Sequence, residues 1–147
     1  MSREQDARVA ELVMGWTAYA EQRGKYRLAV VVSPGDRPPW MKTRDPEPER
    51  YEQIGAVEAV KMGFFGIGFP EYTRDPGADY TVLERVRGWG RAEQDWFYEA
   101  LGTIWVDERR CDELPALAYQ PGDYARAALA VVEGRADNER TNDDGSE

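Results

Sequence analysis

The sequence predicts an α+β fold, a small sheet covered by helices in one α/β domain, and three observations carry that reading. Residues 25–32, Lys-Tyr-Arg-Leu-Ala-Val-Val-Val, are β-branched and aromatic and end at the turn Ser33-Pro34-Gly35-Asp36, which marks a strand. Residues 92–105 place Phe97, Ala100, Leu101, Ile104 and Trp105 at i, i+3, i+4, i+7 and i+8, the stripe of an amphipathic helix. Asp75 followed by Pro76 opens another helix, because the carboxylate can accept first-turn amides and proline at the first helical position gives up nothing.

Taken in order, residues 3–14 set Val9, Leu12 and Val13 on one face, with Ala10 and Met14 flanking and Gly15 as the stop; this predicts a helix of about three turns. Trp16 is expected to plug the core at the helix end. After the strand, residues 37–50 hold four prolines, alternating charges and Trp40, a long exposed loop with Trp40 folded back on the domain. Residues 49–62 fit a helix through Ile54, Val57 and Val60, or a strand through Ile54, Ala56 and Glu58. Gly55 tips the reading towards a strand paired with residues 26–32. Residues 63–70 interleave three glycines with aromatics, and in the absence of a GxGxxG or Walker pattern they read as a lid or a bulged edge strand.

The helix begun at Asp75 places Tyr80, Leu83 and Arg87 on one side with Val82 and Val86 adjoining, and Gly88-Trp89-Gly90 breaks it. Trp96 and Tyr98 lie off the following stripe, where one of them can line a surface groove. Residues 107–114 form a charged loop with Cys111, and residues 116–119 a short strand. The last helix, 121–133, turns Ala127, Ala128, Leu129, Val131 and Val132 inward, with Pro121 and Asp123 favouring its start. Residues 134–147 are polar and acidic and are expected to be disordered, which leaves 1–133 as the single globular domain.

Composition narrows the chemistry. With 41% hydrophobic and 32% charged residues, the chain suits one soluble domain with a real core. Nothing apolar approaches the roughly 20 residues that span a bilayer, and the polar start Met1 to Asp6 is read as no signal peptide. A lone cysteine forbids an intrachain disulfide, so the expected home is a reducing cytoplasm. The absence of histidine removes imidazole nucleophile relays and imidazole metal sites. The net charge is −9, of which residues 134–147 contribute −3 through five acids and two arginines. The remaining −6 argues against a nucleic-acid face yet permits one local cationic pocket.

Residues 3–16, the block 72–87 (YTRDPGADYTVLERVR) and the block 119–134 (YQPGDYARAALAVVEG) resemble the phage ABA-sandwich family. The latter two are similar to its tyrosine-serine/threonine-x-aspartate and PGDYxRAAL signatures. The resemblance covers about half the chain in three pieces and leaves residues 24–70 outside it. It implies an α/β layered sandwich and a bacterial-host cytoplasm, and it implies no chemistry, since fold and function separate readily.

Both signature blocks put tyrosine, arginine and a small-residue turn at a helix start. Tyr72, Arg74, Asp75 and Tyr80 belong to one, and Tyr119, Asp123, Tyr124 and Arg126 to the other. Brought together, they offer free amides and guanidinium forks for phosphate, rings for a base and aspartate for ribose hydroxyls. The expected function is a non-enzymatic phage accessory protein that sequesters a small nucleotide immune signal, of cyclic ADP-ribose or cyclic dinucleotide type, with no metal or cofactor. The bland alternative makes Asp75 and Asp123 mere helix-start residues and Tyr72 and Tyr80 half-buried core. A different class is an acidic, DNA-mimic-like inhibitor or assembly factor acting on a host protein. A carboxylate hydrolase built on Asp107-Glu108 and Asp112-Glu113 is disfavoured, because adjacent acids point apart. Homo-oligomerisation stays open, since stripe 97–105 suits core or interface.

Overall fold

In the computed structural model, residues 2–44, 46–108 and 119–145 are described, with side chains from 3–44, 46–108 and 119–134. The fold is α+β, an antiparallel three-stranded sheet with helices before and after it. The chain divides into two units, residues 1–70 and 71–147.

Alanine sets how closely helix and sheet approach in residues 1–70. Helix α1 (Ser2–Arg8) continues as a π-helical segment Val9–Val13. Strands β1 (Thr17–Arg23), β2 (Tyr26–Val32) and β3 (Tyr51–Ile54) follow, then helix α2 (Ala56–Met62). The sheet order is β2-β1-β3, and both pairings are antiparallel. Ala18, Ala29 and Ala59 form the buried seam where α2 meets the sheet, and Ile54, Met62, Phe64 and Phe69 close around it. Period-2 alternation then puts Thr17, Tyr19, Glu21 and Arg23 on the opposite face. Tyr51 joins them, as it pairs with Glu21.

The first helix spans the expected residues, but its buried side is Val9, Ala10 and Val13, while Leu12 is exposed. The wider π turn shifts the face by part of a residue. Trp16 is half-buried, edge-on to Phe69 at 5.9 Å. Trp40 folds back as expected, 5.3 Å from Tyr19 and 5.7 Å from Tyr51 between ring centres. Strand β2 stands where the sequence puts it, whereas β1 was not expected. A two-residue hairpin at Gly24-Lys25, with Gly24 at φ +57°, joins the two.

The 49–62 reading is corrected in two ways. Residues 51–54 are a strand and 56–62 a helix, and the strand's partner is β1 rather than β2. Gly55 does not oppose that helix because it stands at the N-cap, and Glu11 Oε2 accepts from the Ala56 amide at 2.7 Å. At the far edge of the sheet, Ala29 N donates to Gly63 O at 2.7 Å and Phe65 N to Ala29 O at 2.9 Å. Phe64 thus bridges the edge of β2, the strand-like option for the glycine-aromatic stretch.

Residues 71–147 carry helices α3 (Pro76–Arg87), α4 (Arg91–Gly102) with a π-helical continuation Thr103–Glu108, and α5 (Asp123–Gly145). Phe97, Leu101 and Ile104 are buried along the expected stripe, with Trp105 half-buried. Val82 and Val86 of α3 and Ala125, Ala128 and Leu129 of α5 are buried too, and α3 and α4 both pack on α5. Gln94 Nε2 donates to the carbonyls of Val86, Arg87 and Trp89 at 3.1–3.3 Å, so α4 closes the C-terminus of α3. The inward side of α3 is Asp79, Val82 and Val86, with Tyr80 turned out at 46% exposure and Arg87 beside it. Helix α5 continues through 134–145, residues read from composition as tail. Residues 116–118 of the strand expected at 116–119 and most of the 107–114 loop, Cys111 included, lie outside the described residues. Among the described residues no helix is long and apolar enough to cross a membrane.

Candidate functional site

The two helix starts singled out by the sequence do meet within residues 71–147. A Cβ built at Gly122 would lie 2.7 Å from the Thr73 carbonyl, and Gly122 has φ +97°, so only glycine fits this approach. The junction is tied by Asp79, a residue the sequence reading passed over. Its carboxylate accepts from Ala125 N at 2.8 Å, Tyr124 N at 3.3 Å and the Tyr119 hydroxyl at 2.7 Å. Asp79 is fully buried, and burial pushes its carboxyl above the usual range, against the opposing pull of those donors. Tyr119 moves the same way through burial, then through its bond to Asp79.

Asp123 is also fully buried and accepts from Trp105 Nε1 at 3.0 Å and Gln120 N at 2.8 Å. Tyr124 stacks between Tyr119 at 5.0 Å and Phe97 at 6.4 Å. Asp75 caps α3 by accepting from Gly77 N at 3.0 Å, and Tyr72 is buried core. Each arginine has its own carboxylate: Arg74 with Glu71 at 3.3 Å, Arg126 with Glu108 at 2.9 Å. Tyr80 is exposed, with the Arg87 guanidinium 5.8 Å from its ring centre. The structure thus gathers Tyr119, Asp123 and Tyr124 about Asp79. The anion that the amides of α5 attract is supplied from inside the protein.

A second arrangement, unforeseen from the sequence, lies in residues 1–70 on the sheet face opposite α2. A cleft of about 420 Å³ is lined by Glu21 and Arg23 of β1, Tyr51 of β3, and Thr43, Arg44, Glu47 and Arg50 of the proline-rich segment. Glu21 is only 3% exposed. Its Oε1 accepts the Tyr51 phenol at 2.9 Å, and burial followed by that bond raises the Tyr51 pKa. Arg23 Nη2 sits 2.8 Å from Glu21 Oε2, and the Arg23 guanidinium rests 4.3 Å above the Phe65 ring centre. Arg50 pairs with Glu47. Arg44 is exposed and has no ion pair among the described residues.

Three guanidinium groups and two carboxylates line the cleft on a chain of net −9. Screening over about 8 Å separates this patch from distant acids. The arrangement can bind an anion through planar donor forks. Among the described residues no group of three or more acids and cysteines is placed to hold a metal ion.

No family model, curated protein or solved structure matches the chain. The cleft's residues escaped the sequence reading because β1 did. Once Thr17–Arg23 is known as a strand, the alternation Tyr19, Glu21, Arg23 puts a carboxylate and a guanidinium on one face. For Asp79 a signal was available: it shares the i, i+3, i+7 stripe with Val82 and Val86, a charge in a row of core positions.

Proposed function

We propose that this protein captures a small nucleotide without turning it over, and that the cleft of residues 21–51 is the binding site. The observation that carries this reading is Arg44, an arginine with no ion pair among the described residues, beside two further guanidinium groups and a buried carboxylate in a cleft of about 420 Å³. Small-molecule sites typically run from about 300 to 1,000 Å³. Arg44 suits a phosphate, and Tyr51, packed against Trp40, gives an aromatic wall. Without histidine in the chain, the imidazole acid-base chemistry common to nucleotide hydrolases has no agent. By analogy with a phage accessory protein that sequesters a host immune signal, a cyclic nucleotide is the first ligand to try. Calorimetry with cyclic ADP-ribose, cyclic dinucleotides and nucleoside monophosphates tests the proposal. A stoichiometric heat with intact nucleotide recovered afterwards is expected; silence across the panel overturns it.

One observation favours the protein-partner reading instead. Helices α4 and α5 form a groove of about 330 Å³ lined by Trp96, Ala100, Thr103, Ala130 and Val131, and Trp96 is 43% exposed. Such a half-apolar groove beside an acidic surface suits a host protein. Loss of a stoichiometric host partner on Trp96→Ala, with nucleotide heats absent, would move the function there.

A further inference from the structure

We propose that the groove between α4 and α5 docks a cationic amphipathic helix of a partner protein, laid against the two as a third helix. Residues 71–147 carry this surface whatever the cleft of residues 21–51 binds. Much of the lining is small and apolar, with Ala100 from α4 and Ala130, Val131 and Gly134 from α5. Side chains this short let another helix approach closely, and a volume of about 330 Å³ admits its bulky apolar residues. Thr103 also lines the groove, and its hydroxyl already donates to the Glu99 carbonyl at 3.1 Å. What remains is Trp96 and Glu99. They stand at i and i+3 of α4, so the indole and the carboxylate share one face. Trp96 is exposed and meets no other ring among the described residues.

Charge decides what covers the groove. Glu99 in the lining and Asp95 next to Trp96 are both exposed, and neither carboxylate has an ion pair among the described residues. Among the described residues no lysine or arginine lines the groove, and the chain as a whole is at −9. A second copy of the chain would set these acids against their own copies, because a two-fold contact uses the same patch twice. Free anions are repelled for the same reason. A lysine or arginine of a partner helix finds both groups that suit it, the Trp96 face for its charge and the Glu99 carboxylate for its N–H donors. Apolar residues three and four positions along that helix then fill the stretch between Ala100 and Val131, the helix-in-groove mode of recognition.

Fluorescence anisotropy on the full chain compares labelled peptides of about four helical turns. One carries leucine and lysine at amphipathic helical spacing, one leucine and glutamate at the same positions, and one serine and lysine. The expected result is saturable one-to-one binding of the leucine-lysine peptide, at least about tenfold tighter than either of the others. Trp96→Ala weakens that binding about tenfold, and Glu99→Gln, which keeps the size and removes the charge, about threefold. No binding of the leucine-lysine peptide overturns the proposal. So does equal binding of the leucine-glutamate or serine-lysine peptide to the wild-type protein, a comparison that needs no variant to fold. Undiminished affinity in a folded Trp96→Ala protein overturns it as well. A dimer in sedimentation that Trp96→Ala dissolves gives the groove to a second copy and overturns the cationic partner. Nucleotide binding in the cleft changes none of these outcomes.

Discussion

The start of α5 and the sheet face opposite α2 are both places where this acidic chain could hold an anion, and they have been resolved in opposite ways. At the first, the helix amides of Tyr124 and Ala125 are already taken by Asp79, and Arg126 by Glu108. At the second, Glu21 is held by Tyr51 and Arg23, while Arg44 has no ion pair among the described residues. The difference teaches that residue types alone do not locate a site. Tyrosine, arginine and aspartate at a helix start are what a nucleotide pocket needs, and also what an internal cap needs. What separates the two is whether the polar groups are already satisfied.

The largest effect that could break this contrast is Asp79→Ala. It strands a buried hydroxyl and two helix amides, and the expected loss is about 3–5 kcal/mol of unfolding free energy by urea denaturation. A loss below about 1 kcal/mol would mean that those donors find other partners and that the helix start is open after all. Next comes Gly122→Ala, where positive φ combines with a Cβ 2.7 Å from Thr73 O; it should cost about 2–3 kcal/mol. Gly24→Ala has positive φ but nothing within 4 Å, so about 1 kcal/mol is expected. Equal costs at the two glycines would deny the close approach of the helix starts.

Arginine substitutions sharpen the comparison at smaller scale. Arg44→Ala should leave stability within about 0.5 kcal/mol while weakening nucleotide binding about tenfold. Arg126→Ala, which removes an exposed ion pair with Glu108, should change binding not at all; isothermal titration of both variants decides between the two regions. The least effect at neutral pH belongs to the tyrosines. Tyr119 is raised by burial and by Asp79, and Tyr124 by burial. The native state therefore keeps these protons longer than the unfolded chain. Their contribution is complete below the ordinary tyrosine value of about 10 and is lost as pH climbs through the folded values. Denaturation midpoints should fall above about pH 10, and Tyr119→Phe should flatten that decline; an unchanged slope contradicts the buried phenol.

Much of the framework could be read from local chemistry. Asp75-Pro76, the 97–105 stripe and the β-branched run before Ser33 each announce their element, because capping, burial and pleating act on adjacent residues. Strand β1 could not be read that way. Thr-Ala-Tyr-Ala-Glu-Gln-Arg is weakly β-forming, and it is held as a strand by neighbours on both sides, with alanines chosen for closeness to α2. Losing β1 also misdirected β3 to the wrong partner. The cleft was lost with it, since Glu21, Arg44 and Tyr51 come together only through that sheet. The helix starts were found in the sequence, but their closure depends on where Asp79 points, which requires two helices in place.

The central claim is that the cleft of residues 21–51, and not the start of α5, receives the ligand. Titrating the isotopically labelled protein with a bound ribonucleotide and following backbone amides by NMR tests it most directly. The account predicts saturable shifts at Glu21, Arg23, Arg44, Arg50 and Tyr51, with Tyr119, Tyr124, Ala125 and Arg126 unmoved. Shifts centred on residues 119–126, with the cleft silent, would contradict it.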